Sequence, residues 1–249
     1  MRPTVLAVAS KDKGADMITR RTFWRLAVVA IGCVMSGVPQ ATAADAPAQD
    51  SSQLPRVLII GDSISMGYTP FVKTMMKGKA YVEHPKDNCA ATVVGLEKLD
   101  VWLGDKKWDV IHFNWGLHDL KYVKDAKGNG ADIKTGKQWV PVEQYEKNLD
   151  ELVTRLEKTG AKLIWANTTP VPDGAAIRVA GDELKYNEAA ARVIAAHHIP
   201  TDDLHSLVVA NPKWQLPHNV HFSAEGYKGL AAAVVEQIDK ELPAPAAQK

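Results

Sequence analysis

The sequence predicts an α/β fold, in three layers (α/β/α), with a parallel sheet that carries helices on both faces. Two observations predict it. Short apolar runs of strand length alternate with longer segments whose apolar residues recur every three or four positions. Polar residues follow several of these runs, at the points where the carboxyl ends of parallel strands meet at one edge of a sheet.

The predicted strands are short runs rich in β-branched and aromatic residues, bounded by turn-forming residues. Each is followed by a helical pattern or a polar loop, as expected when strands run parallel. They are 56–60 (RVLII), 80–84 (AYVEH), 109–114 (DVIHFN), 161–166 (AKLIWA) and the short 199–201 (IPT).

The predicted helices show apolar stripes at spacings of three and four. One stripe runs from Val93 to Leu103, a second from Tyr145 to Leu156 and a third from Tyr227 to Ile238. The alanine content of 184–198 predicts a further helix. The polar insertion 121–140 contains five lysines, and a loop of this length is more often functional than idle.

The first 43 residues are typical of an export signal. An apolar run at 26–35 is too short to span a bilayer, and 41–43 (ATA) fits a signal peptidase site. The segment 19–24 (TRRTFW) resembles a twin-arginine signal, with an ordinary Sec signal or a lipoprotein signal at Cys33 as alternatives. We therefore expect an exported protein, periplasmic or secreted, with no membrane span in its mature form. The predicted organisation is a signal at 1–43, a linker at 44–55, a folded domain at 56–242 and a tail at 243–249. Met17 is an alternative start for the signal.

The charge and the cysteine content of the chain argue against nucleic-acid binding and exclude an intramolecular disulfide. After residue 43 the chain has 24 Lys/Arg and 27 Asp/Glu, a net charge of −3, and no basic stripe. Nucleic acid is therefore not an expected partner. Only Cys89 remains after the signal, so an intramolecular disulfide is excluded, and a small buried thiol is its expected role.

Three short blocks resemble the SGNH or GDSL-type hydrolase family. They are "GDS" at 61–63, "WGLHD" at 115–119 and "HNVHF" at 218–222, in the family's order and over most of 56–240. The resemblance implies a flavodoxin-like sheet and a serine hydrolase. It implies that Ser63 is the nucleophile and His221 the general base. Considered alone, Ser63 is more typical of a helix N-cap than of a nucleophile.

The resemblance also implies donors for an oxyanion. These are the Ser63 N–H, a backbone N–H of the second block and a side chain of the third. Ala90 is the second-block candidate, ahead of Gly95, provided that its φ is negative. His118 stands where the family has asparagine, and a neutral imidazole can donate one hydrogen bond. The alternative for His118 is a purely structural role.

The fifth block departs from the family at His218, where an aspartate usually orients the catalytic histidine. An imidazole cannot replace a carboxylate there. Three alternatives follow: Asn219 or a backbone carbonyl orients His221 in a Ser-His dyad, Asp202 or Asp203 reaches it, or hydrolysis has been lost. We favour the dyad.

The function that we expect is an exported serine esterase that hydrolyses a small acyl ester, with acetyl on a carbohydrate as first choice. Its partner would be a small ester or O-acylated carbohydrate. The spacing of His218 and His221 without a Cys or Glu partner is a weak metal signal, so no metal and no cofactor are predicted. The alternative is a catalytically impaired glycan-binding protein on the same fold.

Overall fold

A computed structural model describes residues 54–242, and its centre is a five-stranded parallel sheet. The strands of this sheet are β1 Arg56–Ile60, β2 Tyr81–Glu83, β3 Val110–Phe113, β6 Lys162–Ala166 and β7 Thr201–Asp202. Their order across the sheet is β2-β1-β3-β6-β7, which is the flavodoxin-like order when these five strands are numbered consecutively. The predicted fold class is therefore confirmed.

The helices form one layer on each face of the sheet. They are α1 Ser63–Met75, α2 Thr92–Leu103, α3 Val142–Glu157, α4 Glu183–Ala196, α5 Leu204–Ala210 and α6 Ala224–Glu241. Helix α1 packs against α6, whereas α2, α3 and α4 pack side by side as a second group. Because both faces are covered, β3 is buried along its whole length.

The second and third predicted stripes are the buried faces of α3 and α6, whereas in the first stripe only Leu99 is fully buried and Val93 is exposed, because α2 is turned so that Gly95 and Trp102 face the core. In α3, Tyr145, Leu149, Leu152 and Leu156 are all fully buried. Helix α5 is absent from the prediction, because its seven residues (LHSLVVA) complete barely two turns and show no clear stripe. The insertion at 121–140 forms a small antiparallel pair, β4 Tyr122–Val123 and β5 Lys137–Gln138.

Within residues 54–242, no helix is both long enough and apolar enough to cross a membrane. The predicted export signal at 1–43, the linker up to residue 53 and the tail at 243–249 lie outside the described residues.

Candidate active site

Ser63 lies at the first position of α1, directly after the turn that leaves β1. The cap of this helix is Asp62, whose side chain accepts a hydrogen bond from the Ile64 N–H at 2.9 Å. The turn is tight, since a Cβ at Gly61 would come within 2.8 Å of the Ser65 hydroxyl oxygen. The capping role predicted as the alternative for Ser63 thus belongs to Asp62, and the Ser63 hydroxyl can serve another purpose.

The partner of that hydroxyl is His221. Ser63 Oγ lies 2.9 Å from His221 Nε2, although the two residues are 158 positions apart. The loop that carries His221 is held by a hydrogen bond from the Leu216 N–H to the His221 carbonyl at 2.9 Å. The fold therefore brings a hydroxyl and an imidazole together at the carboxyl edge of the sheet.

Asn219 orients the ring of His221. Its Oδ1 accepts from the His221 backbone N–H at 3.0 Å and lies 2.7 Å from His221 Nδ1. Because a backbone N–H can only donate, the atom that faces it must be the amide oxygen and not the amide nitrogen. The same oxygen then requires a proton on Nδ1, which leaves the Nε2 lone pair facing the Ser63 hydroxyl.

The other two candidates for orienting His221 have other partners. Asp202 is buried, with its Oδ2 3.0 Å from His112 Nε2. Asp203 caps α5 by accepting from the Ser206 N–H at 3.0 Å. Neither carboxylate contacts His221, because both belong to the end of β7 and the start of α5. The structure thus favours Asn219 over Asp202 and Asp203.

His218 does not occupy the place of the missing acid. Its backbone is in the left-handed region, with φ of 55°, and its Nδ1 lies 2.7 Å from the Asp173 carbonyl. Because that contact requires a proton on Nδ1, His218 ties the His221 loop to the loop after β6. Among the described residues there is no group of three or more His, Cys, Asp or Glu side chains placed to hold a metal ion.

His118 is held in its neutral form beside the Ser63–His221 pair. Burial, together with the positive charges of Lys121, Arg178 and His221, lowers the pKa of His118 to about 4 against the opposing effect of Asp62. Its Nδ1 is buried without a hydrogen-bond partner within residues 54–242. A neutral ring that carries its proton on Nε2 could therefore donate one hydrogen bond to a ligand.

The backbone at Gly116, two residues before His118, runs unusually close to Thr168. Gly116 has φ of 152°, and a Cβ there would lie 2.1 Å from Thr168 Oγ1. That hydroxyl donates to the Trp115 carbonyl at 3.2 Å. A side chain at Gly116 would thus displace the segment that positions His118.

Ala90 differs from its prediction. Its φ is +48°, so the condition of a negative φ is not met, and its N–H donates to Asn88 Oδ1 at 2.9 Å. The left-handed region is where glycine is favoured, and it is uncommon for alanine. An oxyanion would have to displace the exposed Asn88 side chain. Gly95 lies within α2, where a Cβ would come within 3.0 Å of Trp115, so its role is in packing.

A buried carboxyl joins the two loops that bear Ala90 and His118. Asp119 Oδ1 accepts from the Thr92 N–H at 2.8 Å and from the Thr92 hydroxyl at 2.5 Å. Burial raises the pKa of Asp119 to about 7, although the hydrogen bonds from Thr92 lower it. Cys89, in the same loop, is a buried thiol as predicted, and burial raises its pKa to about 12.

Two cavities are lined by residues that adjoin the site in sequence or through a hydrogen bond. A cavity of about 10 Å³, which is room for one water or a methyl group, is lined in part by Ile64 and Leu117. These residues adjoin Ser63 and His118 in sequence. An open groove of about 500 Å³ is lined by four prolines and by Leu216, the residue bonded to the His221 carbonyl.

Sequence reasoning missed Arg178, which lies beside the third block. Its Nε donates to the Leu117 carbonyl at 2.9 Å. No local signal marks it, because a single arginine in a loop is ordinary and the third block lies about sixty residues away.

Comparisons with known proteins identify a family and a shared fold. Residues 59–228 match the GDSL-like Lipase/Acylhydrolase family. A search of curated proteins returns no significant match. Among solved structures, a lipase/acylhydrolase from Enterococcus faecalis aligns with a TM-score of 0.64 at 20% identity, covering 78% of this chain and 100% of that one.

Two further structures share the fold. An acetyl xylan esterase aligns with a TM-score of 0.59 at 16% identity, covering 74% of this chain and 99% of that one. A GDSL-like lipase from Bacteroides thetaiotaomicron aligns with a TM-score of 0.58 at 18% identity, covering 75% and 89% of the two chains. The family match spans more than half of the sequence and includes all three blocks. This chain belongs to the GDSL-like lipase/acylhydrolase family and is a hydrolase of ester bonds.

Proposed function

We propose that this protein is an exported serine esterase that removes a small acyl group, acetyl in the first instance, from an oxygen of a carbohydrate. The observation that carries the mechanism is the 2.9 Å contact between Ser63 Oγ and His221 Nε2, with Nε2 made an acceptor by Asn219. A hydroxyl that faces an unprotonated imidazole nitrogen is the arrangement that general-base activation requires.

The first half of the reaction forms an acyl-enzyme. Ser63 Oγ attacks the acyl carbon as its proton passes to His221 Nε2, and the ester carbonyl oxygen becomes an oxyanion. The Ser63 N–H at the start of α1 and His118 Nε2–H are the donors to this oxyanion, and the Ala90 N–H joins them once Asn88 is displaced. His221 then passes the proton to the leaving alcohol. In the second half, water attacks the acyl-enzyme by the same steps and frees Ser63.

The small cavity supports a short acyl group. Its volume of about 10 Å³ is close to the size of a methyl group, and two of its lining residues, Ile64 and Leu117, are the sequence neighbours of Ser63 and His118. The groove beside Leu216 supports an alcohol of greater size, because a leaving alcohol lies on the side of the histidine that protonates it. Similarity of fold to an acetyl xylan esterase is in keeping with acetylated carbohydrate as substrate, as an analogy.

Hydrolysis of 4-nitrophenyl acetate by the purified protein tests the proposal. We expect the Ser63→Ala and His221→Ala variants to lose at least about 10³-fold in kcat/KM. Equal rates for the wild type and Ser63→Ala would overturn the role of Ser63. Faster hydrolysis of 4-nitrophenyl octanoate than of the acetate would overturn the small acyl group, and acetylated xylan that releases no acetate would overturn that carbohydrate as the substrate.

A further inference from the structure

We propose that Arg178 and Lys121 form a cationic subsite that binds a carboxylate of the substrate beside the oxyanion. The inference deepens the proposed function and rests on it for the position of the reacting ester. The substrate would therefore be an ester that carries a carboxylate, either on its acyl group or on its alcohol.

The first argument is position. Arg178 Nε donates to the carbonyl of Leu117, the residue before His118, at 2.9 Å. Lys121 follows His118 by three residues, with Nζ 4.4 Å from the centroid of the Trp139 ring. Both cations lower the pKa of His118, so their charges act at the ring that faces the reacting ester.

The second argument is the absence of a protein partner. Residues 54–242 contain four arginines, and Arg56, Arg155 and Arg192 each form an ion pair with a carboxylate. Within the same residues, no carboxylate oxygen lies within 4.0 Å of a side-chain nitrogen of Arg178 or Lys121. The site thus holds two cations that form no ion pair with a carboxylate in this part of the chain.

The third argument is desolvation. Burial lowers the pKa of Arg178, and only Asp62 acts against this effect. Burial also lowers the pKa of Lys121, and the charge of Arg178 adds to that against the opposing effect of Asp119. A guanidinium that is partly removed from water without an anion loses hydration energy, which a bound carboxylate would restore.

The fourth argument is backbone strain directly before Arg178. Ile177 has φ of +56°, a conformation that is a genuine outlier for a β-branched residue. Its carbonyl accepts from the Tyr122 N–H at 2.8 Å, so β4 of the 121–140 insertion holds it there. Strain of this kind gathers at functional sites, and here it lies directly before the residue that donates to the Leu117 carbonyl.

The guanidinium keeps donors for a ligand. Of its five N–H groups, those used are on Nε, towards Leu117, and on Nη1, towards Ala176 at 3.4 Å. Nη2 has no hydrogen-bond partner within the described residues, and it is not buried. A planar fork with free N–H groups suits a carboxylate, with Lys121 as a second, flexible charge.

Two matched pairs of esters test the inference and separate the two sources of the carboxylate. On the alcohol side the pair is 4-acetoxybenzoate and its methyl ester. On the acyl side it is 4-nitrophenyl hydrogen glutarate and 4-nitrophenyl pentanoate, corrected for hydrolysis without enzyme. We expect the wild type to favour the charged member of one pair by about 10-fold in kcat/KM, and the preference to fall as salt rises.

Variants then test whether Arg178 causes this preference for the charged ester. Arg178→Gln should bring that ratio close to one, Arg178→Lys should retain part of it, and Arg192→Gln, which removes an exposed paired arginine, should leave it unchanged. An unchanged ratio in Arg178→Gln, or no preference for either charged ester in the wild type, would overturn the inference. Calorimetric binding of 4-acetoxybenzoate and its methyl ester to Ser63→Ala, with and without Arg178→Gln, gives the same comparison without turnover. Because this binding comparison needs no turnover, failure of the carboxylate inference can be distinguished from failure of the esterase proposal.

Discussion

An amide oxygen, rather than a carboxylate, contacts His221 Nδ1. Asn219 selects the productive tautomer as well as an aspartate would, because its Oδ1 also accepts from the His221 backbone N–H. It cannot supply the negative charge that stabilises an imidazolium. We therefore expect the site to have the correct geometry but a modest kcat, and a negative charge introduced at position 219 to raise that kcat measurably.

Substitution of Asn219 tests this division of roles. Asn219→Asp keeps the acceptor and adds charge, so we expect kcat to rise about 10-fold and the acidic limb of the pH profile to move to higher pH. Asn219→Ala removes the orienting contact, and kcat should fall on the order of 10²-fold. The measurement is kcat for 4-nitrophenyl acetate from pH 4 to 9. A lower kcat for Asn219→Asp than for Asn219→Ala would contradict the assignment.

His118 should act as a neutral donor. His118→Ala removes the N–H, and we expect kcat to fall by about 10²–10³-fold with little change in KM. His118→Asn restores a side-chain N–H and should recover most of the rate. Because the pKa of His118 is about 4, the Asn variant and the wild type should share one pH profile above pH 5.5. Full activity in His118→Ala would show that His118 is structural.

Asp119 should make stability fall as pH rises. Its pKa of about 7 in the folded protein lies above the value of about 3.9 for an unfolded aspartate. Between these values the folded state holds a proton that the unfolded chain releases, so the free energy of unfolding decreases as pH rises through this window.

Asp119→Asn removes this dependence and keeps an acceptor for Thr92. We expect the Tm of the wild type, relative to that of Asp119→Asn, to fall between pH 4.5 and 8 in calorimetry. Asp105→Asn, at an exposed aspartate, is the control and should track the wild type. Parallel Tm curves for the wild type and Asp119→Asn would contradict the raised pKa.

Sequence identified the residues whose chemistry a short block defines. Ser63, His118 and His221 were predicted with their neighbours, and the structure places them together. The φ of Ala90 could not be predicted, because nothing in the type of residue forces alanine into the left-handed region. Arg178 was missed because its position depends on the strained turn at Ile177 and on a hairpin distant in sequence.

The packing of α1 against α6 fixes the distance between Ser63 and His221, since each residue lies at or just before the start of one of these helices. The contact point is Gly67, where a Cβ would lie 2.2 Å from Tyr227 Cε1. Helices this close leave no room for even a methyl group. The geometry of the pair therefore depends on a glycine that carries no chemistry.

Gly67→Ala should disturb both stability and catalysis. Overpacking of this contact is expected to cost about 1–3 kcal/mol of unfolding free energy and to lower kcat, because α6 must move away from α1. Lys73→Ala, on the exposed side of α1, should change neither. Denaturant unfolding and acetate ester hydrolysis measure the two effects. A Gly67→Ala protein with wild-type stability and activity would show that Tyr227 can simply rotate away.

Helices and strands with strong periodicity were predictable from sequence, and those set by tertiary contacts were not. Strand β1 has the predicted bounds and the other strands of the sheet are shorter than or shifted from theirs, since a strand ends where pairing ends. The β4–β5 pair has two residues on each side, too few for alternation to be visible.

The complete site draws on four segments that are distant in sequence. The turn after β1, the loop before α2, the loop after β3 and the loop before α6 all meet at one edge of the parallel sheet, as expected for this strand order. Family membership and fold were therefore readable from the order of the blocks. The proposed cationic subsite of Arg178 and Lys121 was not, because it depends on charges brought together only by folding.

Covalent labelling by a fluorophosphonate is the most direct test of the claim that Ser63 is an activated nucleophile. The intact mass of the purified protein should increase by one adduct, and peptide mapping should place it on Ser63. His221→Ala should label far more slowly, and Ser63→Ala should not label. An unlabelled wild type, or an adduct that persists in Ser63→Ala, would contradict the account.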